Sequence, residues 1–186
     1  MNKRSIPLIL GAWLLSIPSP VLAQKKSVDY IAKAFADAGF LPHAYDEGDL
    51  IHRYGHGRTD IDQNGMIRRT YHDAASGLDV TLLSNPDVAP AFRTVDEIRV
   101  SWPATAGGAA GSVESLKGIA LRGIPLGASA ADVQRVTNPF AAKESAPDRI
   151  GGAVVSRTCI FHEDGSNNCY FLRDGKVVAM AVGFGP

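Results

Sequence analysis

The sequence predicts an α+β fold of two tandem units, each a helix followed by an antiparallel meander of strands. Three observations carry this. Apolar residues recur at helical spacing after Ser27 and again after Ser129, but alternate with polar ones along most of 50–102 and 153–183. The alternating segments are strand-length and are punctuated by Gly, Asn-Pro and Asp-Gly. Finally, Arg69–Leu83 (RTYHDAASGLDVTLL) parallels Arg157–Leu172 (RTCIFHEDGSNNCYFL). Both start Arg-Thr, pass through a His and an acid, turn at Gly and resume as an apolar strand, which is the mark of a duplicated unit.

The N-terminus has the form of an export signal. Lys3 and Arg4 precede a short apolar run, Ile6–Ile17, and Val21-Leu22-Ala23 offers small residues for cleavage after Ala23. The run is too short for a good membrane span, and no cysteine follows it to carry a lipid. The expected segments are a signal peptide over 1–23, a first unit over 24–103, a linker over 104–118 and a second unit over 119–186. The chain is then expected in the periplasm or outside the cell. Loss of Lys3 and Arg4 leaves 17 cations against 19 acids. That balance argues against nucleic acid or an acidic membrane surface as partner.

In the first unit, Ser27 is placed to cap a helix through Ala38, with Val28, Ile31, Ala32 and Phe35 on one face. Gly39 and Phe40 would close it and Pro42 prevents continuation. Strands are expected near 50–60, 66–73, 78–84 and 95–101. In the last of these Ile98, Val100 and Trp102 share a face opposite Arg99 and Ser101. Small residues from Ala104 to Gly118 read as the linker. In the second unit Ser129 caps a short helix with Asp132 completing a capping box, and Asn138-Pro139 ends it. Strands are expected near 153–161, 168–173 and 176–183, the last two joined by a type I′ turn at Asp174-Gly175.

Cys159 and Cys169 are the two cysteines. In an exported chain a close, even pair forms a disulfide. If Asp164 marks the tip of a hairpin, the two cysteines face each other across it.

The stretch GIPLGASAADVQRV and the later CYFLRDGKVVAMAVGF, within Ile124–Phe184, resemble the repeat of the β-lactamase inhibitory protein and of the SmpA/OmlA small envelope proteins. The shared pattern is an I-x-L-G-x-S entry to a helix, then a strand, a D-G turn and a second apolar strand. The first half lacks that entry. The resemblance implies a concave, partner-binding sheet face and no catalysis, and it carries no binding residue over by motif.

The segment TDIDQNGMIRR contains D-x-D-x-N-G, the opening of a calcium loop. The twelfth ligand place is Tyr71 instead of Glu, and Arg58, Arg68 and Arg69 surround it. Asn64-Gly65 is therefore read as a hairpin turn with both residues at positive φ. In IHRYGHGR, His52 and His56 are spaced four apart, but on a strand they stand about 13 Å apart, too far for one zinc ion. His72 and His162 fall at matching places in the two units. No G-x-S-x-G, H-E-x-x-H or S-x-x-K occurs. No metal or cofactor is expected.

What remains is a surface. His52, Arg53, Tyr54, His56 and Arg58 cluster in one segment rich in the Tyr and Arg that binding hot spots favour. Trp102 ends a strand, and Glu163 and Asp164 lie in a loop that the disulfide would rigidify. These eight are the candidate partner-binding residues. The expected function is non-enzymatic binding of another exported protein, as an inhibitor or immunity-like factor. The alternatives are an envelope hydrolase with a dispersed site and a metal-binding periplasmic protein.

Overall fold

The structure is a computed structural model that describes residues 29–37, 45–103, 113 and 116–184. The expected signal segment, the Ser27 cap, the Gly39-Phe40 stop and most of the linker lie outside the described residues.

The order is α1 (Tyr30–Asp37), α2 (Glu47–Tyr54), β1 (Arg58–Ile61), β2 (Ile67–Asp73), β3 (Leu78–Ser84), β4 (Glu97–Ser101), β5 (Ala120–Leu121), β6 (Ile124–Pro125), α3 (Ala130–Thr137), β7 (Lys143–Ile150), β8 (Ala153–Phe161), β9 (Ser166–Arg173) and β10 (Lys176–Phe184). Eight strands form one antiparallel sheet in the order β1-β2-β3-β4-β10-β9-β8-β7, and β5-β6 is a separate small hairpin. The fold is mixed α+β and mostly sheet. Among the described residues no helix is long and apolar enough to cross a membrane.

α1 buries Ile31, Ala34 and Phe35 and leaves Ala32 exposed, so the inward face is rotated from the one expected. Its cap is Asp29, whose Oδ1 accepts the amide of Ala32 at 3.1 Å. α2 corrects the strand expected near 50–60. The signals for a helix are all present: Asp46 accepts the Gly48 amide, Glu47 and Asp49 fill the first turn, His52 and Arg53 the last, and Gly55 follows. At eight residues the helix is short, and tertiary packing of Leu50 and Tyr54 holds it. Gly57 then turns the chain into β1. Its φ is 59°, and a Cβ there would lie 2.8 Å from the Tyr71 ring. The glycines of IHRYGHGR thus serve the exit from α2.

Across the sheet alternate residues divide into two faces. Tyr71, Val80, Leu82, Ile98, Val100, Tyr170, Met180 and Val182 are buried with the residues of α1, α2 and α3 in the main core. The tyrosines within it keep their hydroxyls paired: Tyr71 donates to Gly55 O and Tyr170 to Leu121 O. Burial pushes the Tyr170 phenol up to about 12. Leu116, at the end of the expected linker, is also core, and its amide donates to buried Asp73 at 2.7 Å.

The second half follows expectation in three places. Ser129 and Asp132 form the capping box of α3. Asp174 and Gly175 have φ of 52° and 71°, as a type I′ turn requires. Cys159 and Cys169 are bonded as directly opposed residues of β8 and β9, with Cα atoms 4.1 Å apart. β7 was not expected. Its sequence, KESAPDRI, is polar and carries Pro147, which only an edge strand tolerates.

Candidate functional site

The face of the sheet away from the helices carries the site. The register sets out its rows. One runs Arg68, Leu83, Glu97, Gly183, Asn167, Phe161 across β2, β3, β4, β10, β9 and β8. The next runs Thr70, Thr81, Arg99, Ala181, Cys169, Cys159. The centre, on β10, is made of small residues, Ala179, Ala181 and Gly183. Beside them the disulfide, Val155 and Phe171 form a second, smaller apolar cluster. Among the described residues no helix packs on this cluster. Arg99 does: its guanidinium lies 4.5 Å from the Phe171 ring centroid, and Glu97 holds it at 2.7 Å.

A cavity of about 740 Å³ opens on this face. It is lined from both ends of the sheet, by the β1–β2 turn (Ile61 to Met66) and by the β7–β8 turn (Asp148 to Gly152). Strand twist explains how opposite edges can border one cavity. Eight strands accumulate roughly 140–175° of rotation at about 20–25° per step, which swings the two outer hairpins toward each other. Ile61 and Phe184 also line it and are 60% and 40% exposed. Its charges are matched locally. Arg68 grips Asp60 with two bonds, of 2.6 and 2.9 Å, and Arg157 pairs with Glu144 and Asp148. The Arg68 bonds hold the Asp60 carboxyl below the usual range.

The D-x-D-x-N-G segment forms one rim. Asp60 is committed to Arg68, and Asp62 Oδ1 accepts the amides of Asn64 and Met66 at 2.8 and 2.9 Å. The turn corrects the expected type. Asn64 does not have positive φ; Gly65 does, at 82°, and its amide donates to Asp62 O. This is a type I turn closed by a glycine bulge, selected by the Asp62 carboxylate. The same turn recurs at His162–Ser166, with Gly165 at φ 83°. Among the described residues no group of three or more His, Cys, Asp or Glu side chains could hold a metal ion.

The candidate partner-binding residues are dispersed. His52 and Arg53 sit on α2, with the Arg53 guanidinium 5.5 Å from the Tyr54 ring. Tyr54 is a correction: it is 1% exposed and its hydroxyl donates to Asp29, so it serves the core and offers no surface. His56 is exposed, and its carbonyl accepts from Arg69 and Thr59. Arg58 is exposed on edge strand β1. Trp102 is 43% exposed beyond β4, against Gly127. Glu163 and Asp164 are exposed in the β8–β9 turn, where Asp164 accepts from the amide and hydroxyl of Ser166. None of these eight lines the cavity; among the other residues singled out in the sequence, the two cysteines and Asp62, Asn64 and Arg68 of the TDIDQNGMIRR segment do. Arg68 was read only as a charge disfavouring calcium and Arg99 only as a strand residue, and Glu97, Phe161 and Phe184 were not singled out. The available signal was the alternation itself: charged residues on β2 and β4 sharing a face with Ala179, Ala181 and Gly183.

One His–acid pair lies on the same face. His72 Nδ1 is 2.8 Å from Asp79 Oδ1. The hydroxyl in that row is Ser101, which opposes Asp79 on the side away from His72. It is two strands, about 9.6 Å, from the histidine. A nucleophile–base pair needs the two within hydrogen-bond reach. Set against protein-family models, curated proteins and solved structures, the chain matches none of them.

Proposed function

We propose that this chain is an exported binding protein that receives part of another protein on the helix-free face of its sheet, as an inhibitor or immunity-like factor, and catalyses no reaction. The observation that carries this is the cavity bordered by both outer hairpins, with Ile61 and Phe184 exposed inside it. Large apolar side chains left in a concave, polar-rimmed surface mark interaction sites. The edges of the sheet are less suited to a partner. β1 is four residues long, and Pro147 interrupts β7. The disulfide supports export, since such bonds persist in oxidising compartments.

Two further features agree with this role. β1–β4 and β7–β10 are each a four-strand meander preceded by helix, and their last strands, β4 and β10, pair with each other. We read them as tandem units whose joined sheets form one concave face. The resemblance of Ile124–Phe184 to the β-lactamase inhibitory protein repeat points the same way. Among the described residues a hydrolase is favoured by the His72–Asp79 pair, and the hydroxyl of its own row, Ser101, stands two strands away from the histidine.

Affinity capture from a periplasmic extract tests the proposal. The wild type and the double variant Ile61→Asp, Phe184→Asp are used side by side. A protein retained by the wild type and lost with the variant supports the groove as the site. Recovery of no protein, or equal recovery with both, overturns it.

A further inference from the structure

We propose that Arg122, seated by Asn168, His162 and Phe140, is a binding site for the carboxylate of a ligand, on the face of the sheet opposite the groove. Arg122 lies in the tight turn between β5 and β6 with φ 50°, followed by Gly123 at 77°. Such positions select Asn, Asp or Gly, so the turn does not account for an arginine. The hairpin is also anchored without that side chain, since the Tyr170 hydroxyl donates to Leu121 O at 3.0 Å. Three other stretches of chain orient the guanidinium. Its Nε donates to Asn168 Oδ1 at 2.8 Å, its Nη2 lies 3.2 Å from His162 Nε2, and it stands 4.9 Å from the Phe140 ring centroid. His162 Nε2 is also 3.3 Å from Asn168 Oδ1. The ring can accept from Arg122 or donate to Asn168, so the seat holds with the proton on either ring nitrogen.

The seat engages one edge of the guanidinium and leaves the other. A guanidinium carries its N–H donors in a rigid fork. Nε and Nη2 face Asn168 and His162, while the Nη1–Nη2 edge, with two parallel N–H bonds, meets no acceptor among the described residues. No acid among them pairs with Arg122 either, whereas Arg68, Arg69, Arg93, Arg99 and Arg157 each have a carboxylate. Arg122 is half-buried, and a charge drawn out of water without a partner is costly. Nε alone satisfies the oxygen of Asn168, which is 0% exposed. The charge and the open edge are therefore left for something outside the described chain.

An oriented fork stacked on an aromatic ring recognises a planar oxyanion through two parallel bonds. The charge balance selects among such anions. The seat supplies one permanent positive charge, and the other charged residues of the His162 turn, Glu163 and Asp164, are acids. Asp164 is committed to the amide and hydroxyl of Ser166. A singly charged carboxylate matches this balance, whereas a phosphate dianion would meet too few cations and the two acids besides. The carboxylate belongs to a small organic acid or to a peptide, as a C-terminus or an acidic side chain. The site uses none of the groove residues and does not rest on the binding role proposed above.

The test follows the Arg122 Nε–H resonance and the Gly123 and His162 amides while sodium acetate is added at neutral pH and constant ionic strength, with sodium chloride as the comparison. Wild type, Arg122→Lys and Arg122→Gly are used. Lysine keeps the charge without the fork, and glycine removes both while suiting the turn. The wild type is expected to saturate with acetate in the millimolar range and not with chloride. Arg122→Lys is expected to bind acetate about ten-fold more weakly, and Arg122→Gly to show no saturable shift. Two capped peptides separate the sources, one with a free C-terminus and no acidic side chain, the other amidated with a single Glu. Tighter binding of either than of acetate assigns the carboxylate to a peptide, and binding of acetate alone assigns it to a small acid. No saturation of the wild type with acetate or either peptide overturns the proposal, and so does chloride matching acetate. Equal acetate affinity in Arg122→Lys and the wild type also overturns it, because the fork would then play no part. The wild-type titrations decide the matter even if a variant fails to fold, and no protein partner is used, so the result is independent of the groove.

Discussion

Glu47 shows how much one residue can organise. It is 3% exposed and lies between two arginines, with Arg69 Nε at 3.0 Å and Arg93 Nη1 at 3.3 Å. Arg93 also donates to the carbonyls of Asn85, Pro86 and Val88, and Arg69 to that of His56. One carboxylate thus ties α2 to β2, to the β3–β4 loop and to the entry of β1. Glu47→Ala would leave two part-buried guanidiniums without their counter-charge. It is expected to cost about 3–5 kcal/mol, read as a lower urea midpoint with unchanged slope. Asp73 acts similarly at the other end of the sheet. Burial alone would raise its pKa, but bonds from the Ser76 hydroxyl and the amides of Leu116, Ala75 and Ser76 outweigh that and hold it below the usual range. A carboxylate depressed in the folded state contributes stability that is present above its unfolded pKa of about 3.8 and lost as pH falls through the folded value. Between pH 5 and pH 2 the wild type is expected to lose more stability than Asp73→Asn, which has no such proton to take up; parallel acid melts of the two would refute this.

At the scale of elements, the β8–β9 hairpin is the part most firmly specified. The backbone groups of Cys159 face β7, because Phe161 N already donates to Ala142 O two residues on. Cys159 and Cys169 are therefore a non-hydrogen-bonded pair, the closer of the two kinds and the one a disulfide can bridge. The loop it closes is short, ten residues apart in sequence. Replacing both cysteines by alanine is expected to cost about 2–3 kcal/mol and to leave the β9–β10 register intact, since Asp174-Gly175 sets it independently. Loss of the β9–β10 amide protection in the double variant would contradict that independence.

For the whole molecule the decisive contact is the seam between β4 and β10. Ile98 opposes Val182 and Val100 opposes Met180, all four of them buried, and the main core runs across the seam without a break. A shared core of this kind is expected to unfold as one unit. In urea, Trp102 fluorescence, reporting beside the seam, and far-ultraviolet dichroism, reporting on all strands, are expected to give coincident transitions. A separated early phase in either signal would mean that the two meanders melt apart. Neutral pairing across the groove makes a further point about function: Arg68, Arg99 and Arg157 are each matched to an acid, so a partner would find shape and apolar contact there more than a net field.

Local chemistry was enough for a sequence reading wherever a few neighbouring residues decide the outcome. The α3 capping box, the Asp174-Gly175 turn, the pairing of Cys159 with Cys169 and the alternation of β3 and β4 all belong to that class. α2 was misread because its caps are sound but its length is marginal, and burial of Leu50 and Tyr54 settles the matter. β7 was missed because an edge strand needs neither hydrophobic alternation nor every backbone donor. The site was the least legible part. His52, Arg53, Tyr54, His56 and Arg58 are neighbours in sequence, yet Tyr54 went to the core and none of the five lines the cavity. The groove instead joins residues from Ile61 to Phe184, brought together by strand order and twist. The sequence by itself determined the class of fold, its turns and its cross-link, because these depend on interactions within a few residues. Which face is left open, and which side chains meet there, was decided by pairing β4 with β10, a contact between residues some eighty positions apart that no local pattern encodes.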